Sequence, residues 1–313
     1  MSSTPPTRVR MKDVARAASV SAATVSFVLN ETPGQTIRPE TRSRVLRAAA
    51  ALGYRPNTLA RALREGTSRV VLLELGSLGR SGAGDSLVDG MQEELARHGF
   101  GLVVHYDRSV PARTMDLASE LTPRATIDLA ALYSDPDRPD EDGGWRDGLA
   151  AHAWTQLAHL AERGHRRIAF AEATGQTTGA IASRRRSHTE EAARRLGMAT
   201  PEHLVLPDDP DGAIDRVASL RERRPDVSAI ACLDDDTALR VLAAMSRSGL
   251  MAPDDLAVIG FDETPHGALW MPALTTVRID AAEAGRRAAR LAIGLDPGRR
   301  RASPSTVVVR ATT

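Results

Sequence analysis

Residues 11–30 read MKDVARAASVSAATVSFVLN, and their periodicity decides the first part of the fold. Met11, Val14, Ala15 and Ala18 recur at helical spacing, and Val25, Val28 and Leu29 make a second apolar stripe. Between them SVS (19–21) turns the chain, and Ser21 is placed to cap the second helix by accepting from the Thr24 amide. Phe27 lies off the stripe with Ala22, Ala23, Ser26 and Asn30, so it is predicted to face outward. Pro39 suits a first helical turn. ETRSRVLRAAAALG (40–53) then predicts a third helix with Val45, Leu46, Ala49 and Leu52 inward and Gly53 at its end.

Two helices joined by a turn of about three residues match a helix-turn-helix, whose second helix enters the major groove. Other short three-helix bundles share that pattern, so charge is the second argument. Residues 1–69 carry twelve Lys or Arg against four Asp or Glu, while the remaining chain carries 29 against 36. A basic head on an acidic body points the head at a polyanion. Ser21, Thr24, Ser26 and Asn30 can bind phosphate oxygens, and the helix start offers free amides.

The 313 residues suit about two domains. The lone Cys232 excludes an internal disulfide, and there is neither a signal core nor an apolar run long enough to cross a membrane, so a cytoplasmic protein is expected. Residues 1–10 (MSSTPPTRVR) are expected to be flexible, and 11–55 to form the headpiece. In YRPNTLARALREG (54–66), Pro56 opens a helix too short to persist alone. It is either a linker with incidental helicity or a hinge that folds on DNA, with Leu63 as a minor-groove wedge.

From Val70 the pattern changes to short apolar runs alternating with amphipathic helices: VVLLEL, FGLVVHY, TIDLAALY, RRIAFAEA, VSAIACLD, LAVIGFD, LTTVRID and STVVVRAT. Such alternation predicts parallel sheet wound with helices. The acidic break SDPDRPDEDGGW (134–145) divides it into two sub-lobes, about 67–145 and 146–275, with 276–313 crossing between them. Ligands are expected at the strand carboxyl ends facing the cleft.

The head 11–66, together with RGHRRIAF (163–170), the 229–263 stretch AIACLDDDTALRVLAAMSRSGLMAPDDLAVIGFDE and PALTTVRID (272–280), resembles the lactose-repressor (LacI/GalR) family of bacterial transcription regulators. The resemblance implies a small all-α helix-turn-helix headpiece, a hinge helix at 56–66 and an α/β periplasmic-binding-protein-like core of two doubly wound sub-lobes. It implies base contacts by Ala22, Ala23 and Phe27 and phosphate contacts by Ser21, Thr24, Ser26 and Asn30. Asn57, Ala60, Arg61 and Leu63 fall on minor-groove hinge positions. Arg185, Asp234 or Asp235, and Asp262 fall on effector-contacting positions, and a guanidinium with carboxylates suits a polyhydroxylated or carboxylated ligand.

Several positions depart from the family pattern. Ser19 replaces a turn glycine, and His188 with Thr189 replace a glycine-aromatic pair. Only SDPDRPDEDGGWRDG (134–148) stands between Tyr133 and Leu149, and the first cleft loop GSLGRSGAGDS (76–86) lacks an Asn-Pro-aromatic run. A reduced first half of the cleft is therefore expected, and with it an atypical effector or none.

The remaining motifs carry less chemistry. DDD (234–236) opens a helix, where its charge answers the helix dipole, and no metal or cofactor is expected. GRSGAG (79–84) lacks a phosphate-loop ending and is expected to be a flexible cleft loop, while His165 is expected to cap structure. Of Arg184, Arg185 and Arg186, one is expected to clamp the effector and the others to be solvated. The expected partners are an operator duplex, a second copy of the chain and a small effector. A solute-binding protein is disfavoured by the basic head, and an enzyme by the lack of a nucleophile, base and orienter set.

Overall fold

The computed structural model describes residues 9–29, 34, 36–54, 68–75, 82–106, 122–129, 148–174, 180–299 and 303–313. They fall into two compact units, residues 1–68 and 69–313. The hinge positions Asn57, Ala60, Arg61 and Leu63, and Asn30, lie outside the described residues.

The first unit has three helices, α1 (Met11–Ala17), α2 (Ala22–Leu29) and α3 (Pro39–Ala51). Val14, Ala15, Ala18, Val25, Val28, Val45 and Ala49 close a small core among them. Arg44 Nε donates to Ala18 O at 2.7 Å, tying α3 to the turn after α1. One expectation is corrected: Leu46 is 48% exposed and Leu52 39%. Val45 and Ala49, four apart, take the inward line of α3, and Leu46 stands about 100° round the helix from it.

The second unit begins with β1 (Val70–Glu74), α4 (Gly82–Arg97), β2 (Gly101–His105) and β3 (Ala125–Asp128). These strands form a parallel sheet in the order β2-β1-β3. The expected loop GRSGAG is corrected in its second half, because Gly82 to Gly84 already belong to the first turn of α4.

The second lobe follows as α5 (Leu149–Glu162), β4 (Ile168–Ala173), α6 (Ala180–Arg195), β5 (Glu202–Leu206), α7 (Pro210–Arg223), β6 (Ala229–Cys232), α8 (Asp235–Arg247) and β7 (Ala257–Ile259). Its parallel sheet runs β5-β4-β6-β7. Ala169, Ala171, Ile230 and Cys232 face α7 and α8, while Ile168, Phe170, Ala229 and Ala231 face α5 and α6. Burial on both faces explains why β4 and β6 read as near-continuous apolar runs. The edge strand β5 was not among the expected runs, because Glu202 and His203 break its apolar pattern.

The chain ends with α9 (Pro265–Leu269), β8 (Thr276–Ile279), α10 (Ala282–Ala292) and β9 (Ser305–Val308). Here the runs LTTVRID and STVVVRAT depart from the parallel pattern, since β8 and β9 pair antiparallel. Between them the chain leaves for the first lobe, where Ala288, Ala289 and Ala292 of α10 join Met91, Leu95 and β1 in one core, and it comes back in the opposite direction. A Cβ on Gly285 would fall 2.0 Å from Leu87 O, and one on Gly90 2.0 Å from Ala282 O, so both glycines permit the close approach of α4 and α10. Arg290 Nε then reaches the buried Glu94 Oε1 at 2.8 Å, and that contact holds the carboxyl below the usual carboxylate range. No helix among the described residues is long and apolar enough to cross a membrane.

Candidate DNA-reading surface and effector site

The reading surface is built by the start of α2. Ser21 Oγ accepts from Thr24 N at 3.1 Å and lies 2.9 Å from Thr24 Oγ1, which caps the helix as the sequence predicts. Ser21, Ala22 and Ala23 are exposed; Thr24, Ser26 and Phe27 are half-buried; Val25 and Val28 fill the core. Phe27 follows Ala23 by four residues and shares its face. Ser19 takes φ +50°, so the turn that aims α2 uses the left-handed conformation a glycine would adopt more readily.

The second site lies at the carboxyl ends of β6 and β7. Arg185, on α6, is 4% exposed, stacks with Cζ 3.2 Å from the Phe261 ring centroid, and donates from Nη1 to Leu233 O. Its Nε and Nη2 are buried and find no acceptor among the described residues. Burial pulls its pKa down to about 10, opposed by Asp262 and Asp234, so it stays a cation at neutral pH. Asp234 caps α8 by accepting from Thr237 N at 2.7 Å, and Asp262 takes φ +85° in the turn after β7. The structure thus brings Arg185, Asp234 and Asp262 together.

Asp235 has a different place from the one expected. It is fully buried, and its carboxylate accepts from Phe261 N (2.9 Å), Thr264 N (2.6 Å), Thr264 Oγ1 (3.2 Å) and Thr276 Oγ1 (2.5 Å). Burial nonetheless pushes its carboxyl pKa upward. With all four bonds made inside the lobe, Asp235 shapes the 261–264 turn instead of offering oxygens to a ligand.

Two residues of α5 complete the site. Gln156 Nε2 donates to Cys232 O (2.9 Å) and Gly260 O (3.0 Å), pinning the ends of β6 and β7 side by side. His152, one turn earlier, is 4% exposed and stands 6.3 Å from the Phe261 ring. Sequence reasoning missed both. The available signal was a polar pair four residues apart on the apolar face of LAAHAWTQLAHLAE.

Burial, with Arg185 nearby, drops the His152 pKa to about 4, against the pull of its bond to Ser303 O. The unfolded imidazole protonates near its ordinary 6.5, so between these limits the unfolded state binds more protons. Stability from this group is complete above 6.5 and is expected to fall by about 3 kcal/mol as pH drops toward 4. His159 and His165 shift the same way by partial burial. Urea unfolding from about pH 7 to about pH 5, run beside His152→Gln, isolates the His152 share. Identical slopes for the two proteins would contradict it.

Arg186 corrects another expectation: it is not simply solvated, since Nη1 lies 2.8 Å from Glu172 Oε1, an oxygen that His203 also approaches at 2.8 Å. His165 Nδ1 lies 2.8 Å from Ser228 Oγ, across the amino-terminal side of the sheet from the site. Among the described residues no group of three or more His, Cys, Asp or Glu could hold a metal ion.

Residues 10–57 match the family model described as bacterial regulatory proteins, lacI family, and residues 157–313 match the periplasmic binding protein-like domain. The chain belongs to the lacI family of bacterial regulatory proteins. It is a DNA-binding transcription regulator with a periplasmic-binding-protein-like core. Similar relatives of this lacI-family chain include the HTH-type transcriptional repressor PurR of Mannheimia succiniciproducens, 26% identical over 317 residues and 90% of each chain. The HTH-type transcriptional regulator GalR of Escherichia coli K12 is 28% identical over 319 residues, 92% of this chain and 90% of its own. Among solved structures, the Lac repressor dimer bound to operator and the anti-inducer ONPF shares the fold with a TM-score of 0.74 at 21% identity, covering 98% and 99% of the two chains. A complex of the regulator CelR with cellobiose gives a TM-score of 0.62 at 22% identity, covering 98% and 100%.

Proposed function

We propose that this lacI-family regulator is a homodimeric repressor that reads a pseudo-palindromic operator and responds to a small polar effector. The observation that carries the DNA half is the capped start of α2, which presents Ala22, Ala23 and Phe27 along one face of a basic unit. Apolar side chains there read thymine methyl groups, while Ser21, Thr24, Ser26 and Asn30 fix register on phosphates. Asn57, Ala60, Arg61 and Leu63 enter the minor groove between the two half-sites. Selection of binding sites from random duplexes, followed by footprinting, tests the reading: an inverted repeat supports it, and binding without sequence preference overturns it.

Phe27→Ala is expected to weaken binding by about 1 kcal/mol, chiefly at one base pair per half-site, and Phe27→Arg to change the preferred base there. Competition binding across single-base operator variants separates this from a packing role, which would weaken all variants alike.

A second copy of the chain is the occupant we assign to an apolar patch of the core. Leu269 is 84% exposed and Met271 89%, with Trp270 between them, and Val309 exposed nearby on the segment that bonds back to Ala273. The solved Lac repressor relative is a dimer on its operator, which supports this reading.

For the effector, the Nε and Nη2 of Arg185, which have no acceptor among the described residues and are flanked by Asp234 and Asp262, suit a ligand rich in hydroxyl or carboxylate oxygens. The cellobiose complex of CelR supports a polyhydroxylated class. Arg185→Met replaces an incompletely bonded buried cation with an apolar chain of similar length. The variant is expected to be more stable by about 1 kcal/mol yet deaf to effector. Thermal unfolding and operator release by a panel of sugars and sugar acids check both halves. If no compound releases the wild-type protein from operator, the regulator works without an effector.

A further inference from the structure

The chain passes between the two lobes of the core three times, between β3 and α5, between β8 and α10, and between α10 and β9. His152 stands where these passages meet. Gly148, at the end of the first, takes φ +93°, and a Cβ there would lie 2.7 Å from His152 Cε1, so only a glycine leaves room for the imidazole. Ser303, at the end of the third passage, places its carbonyl oxygen 3.0 Å from His152 Nε2. The next residue, Pro304, accepts from Asp280 N at 3.0 Å, and Asp280 belongs to the second passage.

One ring therefore touches two passages directly and the third through a single peptide. Because a carbonyl oxygen only accepts, Nε2 carries the proton, and Nδ1 is left as a buried lone pair without a partner among the described residues. The ring's other neighbour is Phe261, on which the Arg185 guanidinium is stacked. The effector site and the crossings of the chain thus share one side chain.

We propose that His152 is the latch that couples the effector site to movement of the lobes: its Nε2–H holds the Ser303 carbonyl, and a ligand seated on Arg185 and Phe261 displaces the ring and frees the crossing. The proposal rests on the reading of Arg185 as an effector contact. Ser303 lies at the second-lobe end of the third passage, so a turn of the lobes pulls on the segment that the latch holds to α5. A ligand with an acceptor for Arg185 and a hydroxyl or amine for Nδ1 engages both sides of the latch. His152 acts here as a positioning residue.

The test uses the full chain and an operator selected with the wild-type protein. His152→Gln keeps a donor at the place of Nε2 and is expected to bind operator within about threefold of wild type, whereas His152→Leu is expected to lose about tenfold or more. Equal affinity of the leucine variant and wild type overturns the latch. Should that variant fail to fold, hydrogen exchange of the wild-type protein decides: operator is expected to raise protection of residues 149–156 and 303–308 together, and a rise in neither overturns the proposal. The effector reading fails separately. A ligand that releases wild type and the leucine variant equally leaves that reading standing and removes the latch. Loss of operator affinity by the leucine variant, with no response of wild type to sugars or sugar acids, leaves the His152–Ser303 tether standing but removes the effector, and with it the coupling.

Discussion

Asp235→Ala is expected to cost about 3–4 kcal/mol of core stability, a large fraction of what a domain of this size possesses. Four donors lose their acceptor at once: the amides of Phe261 and Thr264 and the hydroxyls of Thr264 and Thr276. The loss is partly offset because a buried carboxylate, already costly to ionise, is removed as well. Asp235→Asn is expected to fall between, at about 2 kcal/mol, since its amide turns a donor toward donors. Urea unfolding measures the size of the effect, and amide exchange at 260–264 locates it. A cost under about 1 kcal/mol for the alanine variant would falsify the assignment of Asp235 as the organiser of the turn.

The same turn holds two non-glycine residues in the left-handed region, Asp262 at φ +85° and Glu263 at φ +45°. Glu263 is anchored by Arg278 and by Arg310 Nη2 at 2.9 Å, and the Asp262 amide bonds Val277 O at 2.9 Å. Strain of this kind persists only where neighbours over-determine it. Removing the Asp235 acceptors is therefore expected to let the turn relax and carry the Asp262 carboxylate away from Arg185.

Leu269→Glu combined with Met271→Glu is expected to leave folding intact and lower operator affinity by a hundredfold or more, about 3 kcal/mol. Both side chains lie in solvent within one protomer, so their replacement disturbs little of its packing. In the proposed dimer both glutamates fall in an apolar interface, and charge buried there costs more than the methylenes it displaces. Without the partner the two heads no longer bind as one molecule, and the advantage of linked half-sites disappears. Sedimentation beside operator titration checks it: a monomer with weak, salt-sensitive DNA binding is the expected result, and a dimer of undiminished affinity places the interface elsewhere.

Much of this architecture was legible in the sequence because burial on both faces leaves little choice of residue. The runs IAFAEA and AIAC lie in central parallel strands, and the Ser21 cap and Pro39 start mark helix ends by local chemistry alone. Edges read less clearly. EHLVL pairs on one side only and carries Glu202 and His203, while β8 and β9 pair across an intervening helix, a long-range choice that no local pattern reveals. At the site, Arg185, Asp234 and Asp262 came from resemblance, and the structure places them together. Asp234 and Asp235 could not be told apart from spacing, since adjacent residues at a helix start point apart and only the positions of Phe261, Thr264 and Thr276 decide which turns inward. His152 and Gln156 carry no local signal beyond two polar residues four apart on the apolar face of an amphipathic helix.

Ser19 has a consequence for how the regulator meets heat. Among the described residues the first unit closes on seven buried ones, all alanine or valine, and it spends about 1 kcal/mol holding a serine in the left-handed region. So small an apolar core leaves a narrow thermodynamic margin, whereas the sheets of the other unit bury far more. The first unit is therefore expected to melt before the second as temperature rises, and any duplex that binds it folded pulls that first melting step upward by mass action. Occupancy of DNA and the thermal order of the two units are thus expected to be linked, set in part by one residue of the turn before α2.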